Sequence, residues 1–137
     1  MQLGVTERAL EMTAQYSRDR VQFDRPIGSF QAVHQRAADA YINLESIRLT
    51  AWEAAWRLGQ ELAADEHVQV AKFWAAEGGQ FVAYACQHLH GGIGIDVDYP
   101  LHRYFKWAIQ LEHELGSARH QLAWLGTTIA EQGLPAT

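Results

Sequence analysis

A chain of 137 residues has the length of one domain, and a hydrophobic fraction of 48%, with five tryptophans, is enough to fill a core. A formal net charge of -5 without a basic cluster excludes a nucleic-acid-binding face and a polybasic membrane-surface segment, and no apolar run of about 18 residues reads as a membrane span. The start, MQLGVTERALEM, lacks the basic and apolar regions of a signal peptide, and the single cysteine, Cys86, fits a reducing, cytoplasmic setting.

Hydrophobic spacing predicts helix almost throughout. Val5, Ala9, Met12 and Tyr16 step by three or four residues and define a first helix. The stretch FDRPIGS follows as a loop punctuated by Pro26 and Gly28, and Ser29 is placed to cap the next helix. That helix carries a stripe through Val33, Ala37, Ala40, Leu44, Ile47, Ala51, Ala55 and Leu58, and GQELAADEH ends it. Asp65 is a candidate cap for a third helix along Ala71, Trp74, Gly78, Val82, Ala85 and Leu89, stopped by Gly91 and Gly92. IDVDYP reads as a loop. A short helix from Pro100 carries LHRYFKWA, a last helix shows Ala118, Leu122, Leu125 and Ile129, and GLPAT is expected to fray. No strand alternation, repeat or low-complexity tract is visible. The predicted fold is all-α: a single domain over 1–137, an antiparallel up-down four-helix bundle with a short extra helix before the last long one.

Seven histidines raise the question of a metal, but no glutamate has a histidine three residues on, and neither HLH nor His113 with His120 makes a zinc pattern. The spacing predicts no metal site. GGIG follows a helix rather than a strand and lacks the sequence of a phosphate loop. A helix C-cap explains one of its glycines, but not three in four residues; neighbouring glycines also admit close approach by another backbone or a ligand. RDRVQFDRP places Arg18, Arg20 and Arg25 just past the first helix. Cations suit a helix C-terminus, and an arginine fork also suits a diphosphate. Ser117 and His120 are three apart, without the sharp turn that would mark a nucleophile. Trp52 and Trp56, one turn apart, are expected in the core or in an interface.

Two segments together are familiar. YSRDRVQFDRPIGSFQAVHQRAADA (Tyr16 to Ala40) and HLHGGIGIDVDYPLHRYFKWA (His88 to Ala108) resemble the two signatures of the C-terminal helical domain of acyl-CoA dehydrogenases, and their separation fits that domain. The resemblance implies FAD-dependent α,β-dehydrogenation of an acyl-CoA, with electrons passed to an electron-transfer flavoprotein. It implies a subunit whose N-terminal helical and middle β domains are absent here, and a bundle that forms an oligomer interface and reaches the FAD of a neighbouring subunit. Carried over by position, Arg20 matches the arginine at the neighbour's FAD diphosphate, Phe23 the aromatic beside it and Gln31 a nearby dinucleotide contact. Gly91 and Gly92 match glycines that approach the same cofactor. His88 stands where the family usually has a glutamine, and Ser117 where it has a threonine near the adenosine.

The chain departs from that pattern where the base belongs. The family's Glu-Gly-Thr reads Leu115, Gly116, Ser117, and leucine accepts no proton. Glu114 is turned about 100° from that position on a helix, and Glu112 is one turn back. A base on the first bundle helix would precede Met1. Asp24 replaces the glycine after Phe23, and Trp107 and Lys106 replace a buried charged pair. The expectation is a subunit without a catalytic residue of its own that supports a partner's FAD, in a homo- or hetero-oligomer. Two other readings stay open: a structural oligomerisation bundle without flavin, and a fragment of a complete enzyme whose base lies upstream.

Overall fold

In the computed structural model, residues 1–133 are described; the last four residues of the expected GLPAT fray lie outside the described residues. Five α-helices dominate: α1 (Gln2–Asp19), α2 (Gln31–Gly59), α3 (Asp65–His90), α4 (Leu101–His113) and α5 (Ala118–Gln132). The fold is the all-α bundle read from the periodicity, with α4 as the extra helix. α3 is its axis. α1, α2 and α4 pack around it, α1 also touches α2 and α4, and α5 leans on α3.

The core joins Ala9 and Leu10 of α1, Ala40 and Leu44 of α2, Val82, Ala85 and Cys86 of α3, and Leu101 of α4. A second cluster joins Val5, Ala83, Ala108 and Leu111. Small residues let the axes approach. A Cβ at Gly78 would sit 3.3 Å from the Asn43 carbonyl oxygen and from Ile47, and one at Gly79 would run into Gln2. Lys72 closes the end of α4 by donating to the carbonyls of Leu111 (3.1 Å) and Glu112 (3.0 Å), the placement a helix C-terminus favours.

The predicted caps are different in detail. Ser29 does not cap α2: it lies in a 3-10 turn (Ile27–Ser29), its hydroxyl donates to the Pro26 carbonyl at 2.8 Å, and Phe30 holds the N-cap position. Asp65 does not cap α3 either. It is the first residue of the helix, behind Ala64, where its charge complements the dipole. The loop FDRPIGS contains a hairpin too short to show alternation: β1 (Val21–Gln22) pairs antiparallel with β2 (Arg25–Pro26).

α2 has two apolar faces. Ala40, Leu44, Ile47 and Ala54 are buried, whereas Ala55 and Leu58, expected on that stripe, are exposed. At 100° per residue, Tyr41, Ile42, Leu49, Trp52 and Trp56 fall within an arc of roughly 100° on another side, and all five are exposed. Trp52 and Trp56 are therefore not core residues. None of the five tryptophans is buried. Trp107 is also half-exposed, so the family's charged pair is replaced here at the surface, not in the interior.

Candidate functional site

The first helix ends at Arg20, whose backbone N–H closes the last turn on the Tyr16 carbonyl at 2.8 Å; its own carbonyl then receives Ile27 N–H at 2.8 Å. The hairpin between them reverses through Phe23 (φ 54°) and Asp24 (φ 62°). Two consecutive left-handed residues between two-residue strands make a type I′ turn, the geometry asparagine and glycine favour. Asp24 thus keeps the turn that a glycine would make. Phe23 is strained there and nevertheless 88% exposed, with only its edge against Phe30 at 6.2 Å. Arg25 lies 4.1 Å over the Phe30 ring, and Gln31, exposed, opens α2 directly after it. Gly28 is needed because a Cβ would sit 2.9 Å from the Ser17 carbonyl oxygen. Arg20 is exposed and has no salt bridge among the described residues.

The three glycines of GGIG separate by physical reason. Gly91 caps α3 at φ 64° and ψ -143°, where only glycine rests without strain. Gly94 is buried against Gln87, whose amide a Cβ would strike; that amide also donates to the Gly91 carbonyl at 3.2 Å. Gly92 has neither reason: it is exposed, its φ is not positive, and a Cβ there would meet nothing within 4 Å. His88 is exposed beside it on the last turn of α3.

The residue that sequence reasoning passed over is His90, just before the glycines. It is buried, its ring stacks on Tyr16 at 4.4 Å, Nδ1–H donates to the Cys86 carbonyl at 2.9 Å, and Nε2 accepts from the Tyr99 hydroxyl at 3.1 Å. Burial holds His90 below the ordinary histidine range, against the opposing hydrogen bond to Cys86. Its signal in the sequence was a histidine flush against a glycine stop. Tyr16 is also the residue whose carbonyl fixes Arg20. The stack therefore ties the last turn of α1, which leads into Arg20 and the hairpin, to the last turn of α3, which leads into Gly91 and Gly92. A cleft of about 460 Å³ opens beside it, lined by Tyr16, Tyr99, Arg8, Glu11, Arg18 and Asp19.

Ser117 belongs elsewhere. It precedes α5 with Leu115 and Gly116, and the end of α4 meets α3 at Gln80 and Lys72, roughly 16 and 28 Å along α3 from the glycine turn at about 1.5 Å per residue. The Ser117 hydroxyl reaches Nδ1 of His120 at 3.1 Å, so the spacing does produce contact. Leu115 projects fully, 93% exposed, from a left-handed backbone (φ 59°), and its carbonyl is held at 3.2 Å by the buried Gln121 amide. Neither acid replaces it. Glu112 accepts from Gln80 at 3.1 and 3.2 Å, and Glu114 from Gln110 at 3.1 Å. Cys86 is no nucleophile: burial pushes its thiol up to about 11. Among the described residues no three His, Cys, Asp or Glu groups could hold a metal ion, and no helix is long and apolar enough to cross a membrane.

These features define an all-α helical-bundle domain. Residues 1–129 match the family described as acyl-CoA dehydrogenase, C-terminal domain, and the chain belongs to the acyl-CoA dehydrogenase family. It is 53% identical over 138 residues to acyl-CoA dehydrogenase FadE27 of Mycobacterium tuberculosis, an alignment covering 95% of this chain and 37% of that protein. The chain thus spans a little over a third of the curated relative it matches. It superimposes with a TM-score of 0.93 and 56% identity on a chain of the ChsE4-ChsE5 complex from Mycobacterium tuberculosis, covering 98% of this chain and 36% of that one. It also superimposes on the FAD complex of PigA, with a TM-score of 0.88 and 26% identity, over 96% of this chain and 34% of that one.

Proposed function

We propose that this chain is the C-terminal bundle of an acyl-CoA dehydrogenase subunit that offers its hairpin and glycine turn to the FAD of a neighbouring subunit and has no catalytic base of its own. The observation that supports the reading is the Tyr16–His90 stack, which ties the turn before Arg20, unpaired among the described residues, to the turn before the uncovered backbone at Gly92. A diphosphate needs charge-assisted donors and room for close approach; Arg20 offers the first and the backbone at Gly92 the second. The residues present fit the group: Arg20 and the Gly91–Gly92 backbone would hold the diphosphate, and Phe23, Gln31 and His88 would border it. Ser117, with His120, stands in a separate patch and would meet the adenosine part of a cofactor approaching from that side.

FAD, when bound, supplies the hydride acceptor for α,β-dehydrogenation of the acyl-CoA. This chain's residues orient and neutralise. Leu115 cannot take up a proton, and Glu112 is engaged by Gln80, so α-proton removal falls to another subunit or segment. The occurrence of a chain so similar to this one in the two-component ChsE4-ChsE5 complex supports a hetero-oligomer. The exposed α2 stripe supports an oligomer interface. In the full assembly, electrons pass to an electron-transfer flavoprotein, and the protein works in the cytoplasm.

The test is a pull-down of the tagged chain from its source cells, with mass spectrometry and flavin absorbance of the eluate. The reading expects a second dehydrogenase-family subunit and flavin together. It also expects no dye reduction by this chain alone with acyl-CoA and FAD; turnover there overturns it.

A further inference from the structure

His90 is the one buried histidine among the described residues, and both of its ring nitrogens are committed. The Cys86 carbonyl can only accept, so Nδ1 carries the proton; the neutral ring then leaves Nε2 bare to accept from the Tyr99 hydroxyl. A second ring proton, at Nε2, would meet that hydroxyl and force it to stop donating. It would also place a charge inside the stack. The Tyr16 ring face attracts a cation weakly, but burial favours the neutral ring. Nothing facing His90 supplies a counter-charge, and it has no salt bridge among the described residues. From its own helix the neighbour is Cys86, whose thiol is pushed up to about 11 by burial. From α1 it is Tyr16, and from the segment before α4 it is Tyr99, whose hydroxyl is also pushed up, mainly by burial. His102 touches Tyr99 through the backbone carbonyl at 2.8 Å. The cleft beside the tyrosines sets Arg8 and Arg18 against Glu11 and Asp19, so its charges cancel; Arg8 holds Glu11 at 2.9 Å and Gln15 holds Asp19 at 2.7 Å.

Both segments assigned to the flavin start from this contact. The Arg20 N–H bonds the Tyr16 carbonyl at 2.8 Å, and Gly91 follows His90 directly, its N–H closing α3 on the carbonyls of Gln87 and His88. We propose that His90 is a positioning residue for the flavin site: its neutral ring locks the last turns of α1 and α3 together, and a proton taken up there releases both, so that the hairpin and the glycine turn loosen on the FAD diphosphate at once. The ligand in this statement rests on the flavin reading; the clamp does not. The sign follows from which form is locked. FAD affinity is fully present above the ordinary 6.5 and falls as pH drops through the lower folded value of His90. His88 is exposed and outside the clamp, and a proton there would act the other way, adding positive charge beside a diphosphate.

Two measurements test it. In the chain alone, NMR from about pH 7.5 to about pH 5 follows the His90 ring and the amides of Arg20, Ile27, Gly91 and Gly92. The four amides are expected to shift together, with the midpoint of the His90 ring. They are expected to lose that transition in His90→Phe, which keeps the stack, and in His90→Gln, which keeps a polar head. Amides that move apart from the ring, or that keep the transition in both variants, overturn the clamp. In the co-purified assembly, the FAD dissociation constant over the same range is expected to rise by about tenfold more in the wild type than in His90→Phe, the limit for one linked proton over one pH unit. Comparing the two proteins cancels the part due to His88. Arg20→Ala keeps two failures apart. If it weakens FAD while wild type and His90→Phe share one pH dependence, the proposal alone is overturned. If it leaves FAD affinity unchanged, the flavin reading falls, and the amides still decide the clamp.

Discussion

Tyr16 and His90 stack with ring centroids 4.4 Å apart, and that contact joins the two segments that carry the family resemblance. Tyr16 lies one turn before Arg20; His90 lies directly before Gly91. The ring pair is a clamp between the last turns of α1 and α3, with Tyr99 closing it from just before α4.

His90 makes the fold sensitive to acid. Its folded pKa is depressed by burial below the ordinary 6.5, so the unfolded chain binds the proton first as pH falls. Its contribution is fully present above pH 6.5 and is lost as pH drops from there through the folded value. Thermal midpoints measured from about pH 7 down to about pH 5 are expected to fall more steeply for the wild type than for His90→Phe, which stacks but does not titrate. Equal slopes would remove His90 as the sensor. Tyr16→Leu is expected to cost about 1 kcal/mol beyond its lost area, read by urea denaturation.

The glycines give opposite outcomes. Gly91→Ala forces a side chain into a positive-φ cap and is expected to lower stability by about 1–3 kcal/mol. Gly92→Ala meets nothing in the chain and is expected to cost no more than about 0.5 kcal/mol, yet to weaken flavin retention in the assembly. Denaturation and flavin absorbance measured on both variants check this pair; a Gly92 variant that unfolds while retaining flavin contradicts it.

Much of this was legible in the sequence. The helices, the glycine stop after α3 and the short helix after Pro100 follow from periodicity and glycine–proline punctuation, while the choice of Gly91 over Gly92 as the cap does not. The hairpin did not show, because two-residue strands carry no alternation and Phe23–Asp24 is an unusual pair for a type I′ turn. The far end of α2 misled, because a second apolar stripe through Leu49, Trp52 and Trp56 merges with the core stripe in a one-dimensional reading. His90 was hidden among seven histidines, since burial and stacking are properties of the fold. The contrast among Gly91, Gly92 and Gly94 needed three-dimensional neighbours.

Leu115 holds a left-handed backbone with its side chain in solvent, which costs a non-glycine residue about 1 kcal/mol. Leu115→Gly is expected to raise stability by about that amount and to leave acyl-CoA turnover by the assembly unchanged. Calorimetry and steady-state dye reduction measure the two effects. Loss of turnover would give Leu115 a part in the site that the present account denies it.

The exposed stripe of α2 predicts association. Light scattering of the isolated chain is expected to show oligomers, shifted toward monomer by Trp52→Glu with Trp56→Glu. A wild-type monomer at high concentration contradicts that use of the stripe.

The central claim is that Arg20 serves a cofactor held by another subunit. It is tested most directly by the FAD dissociation constant of the co-purified assembly, wild type against Arg20→Ala, with the stability of the isolated chain measured in parallel. The account predicts about tenfold or greater weakening of FAD, from loss of charge-assisted contacts, and an unchanged unfolding midpoint, because Arg20 is exposed and unpaired among the described residues. An unchanged FAD affinity in the variant would contradict it.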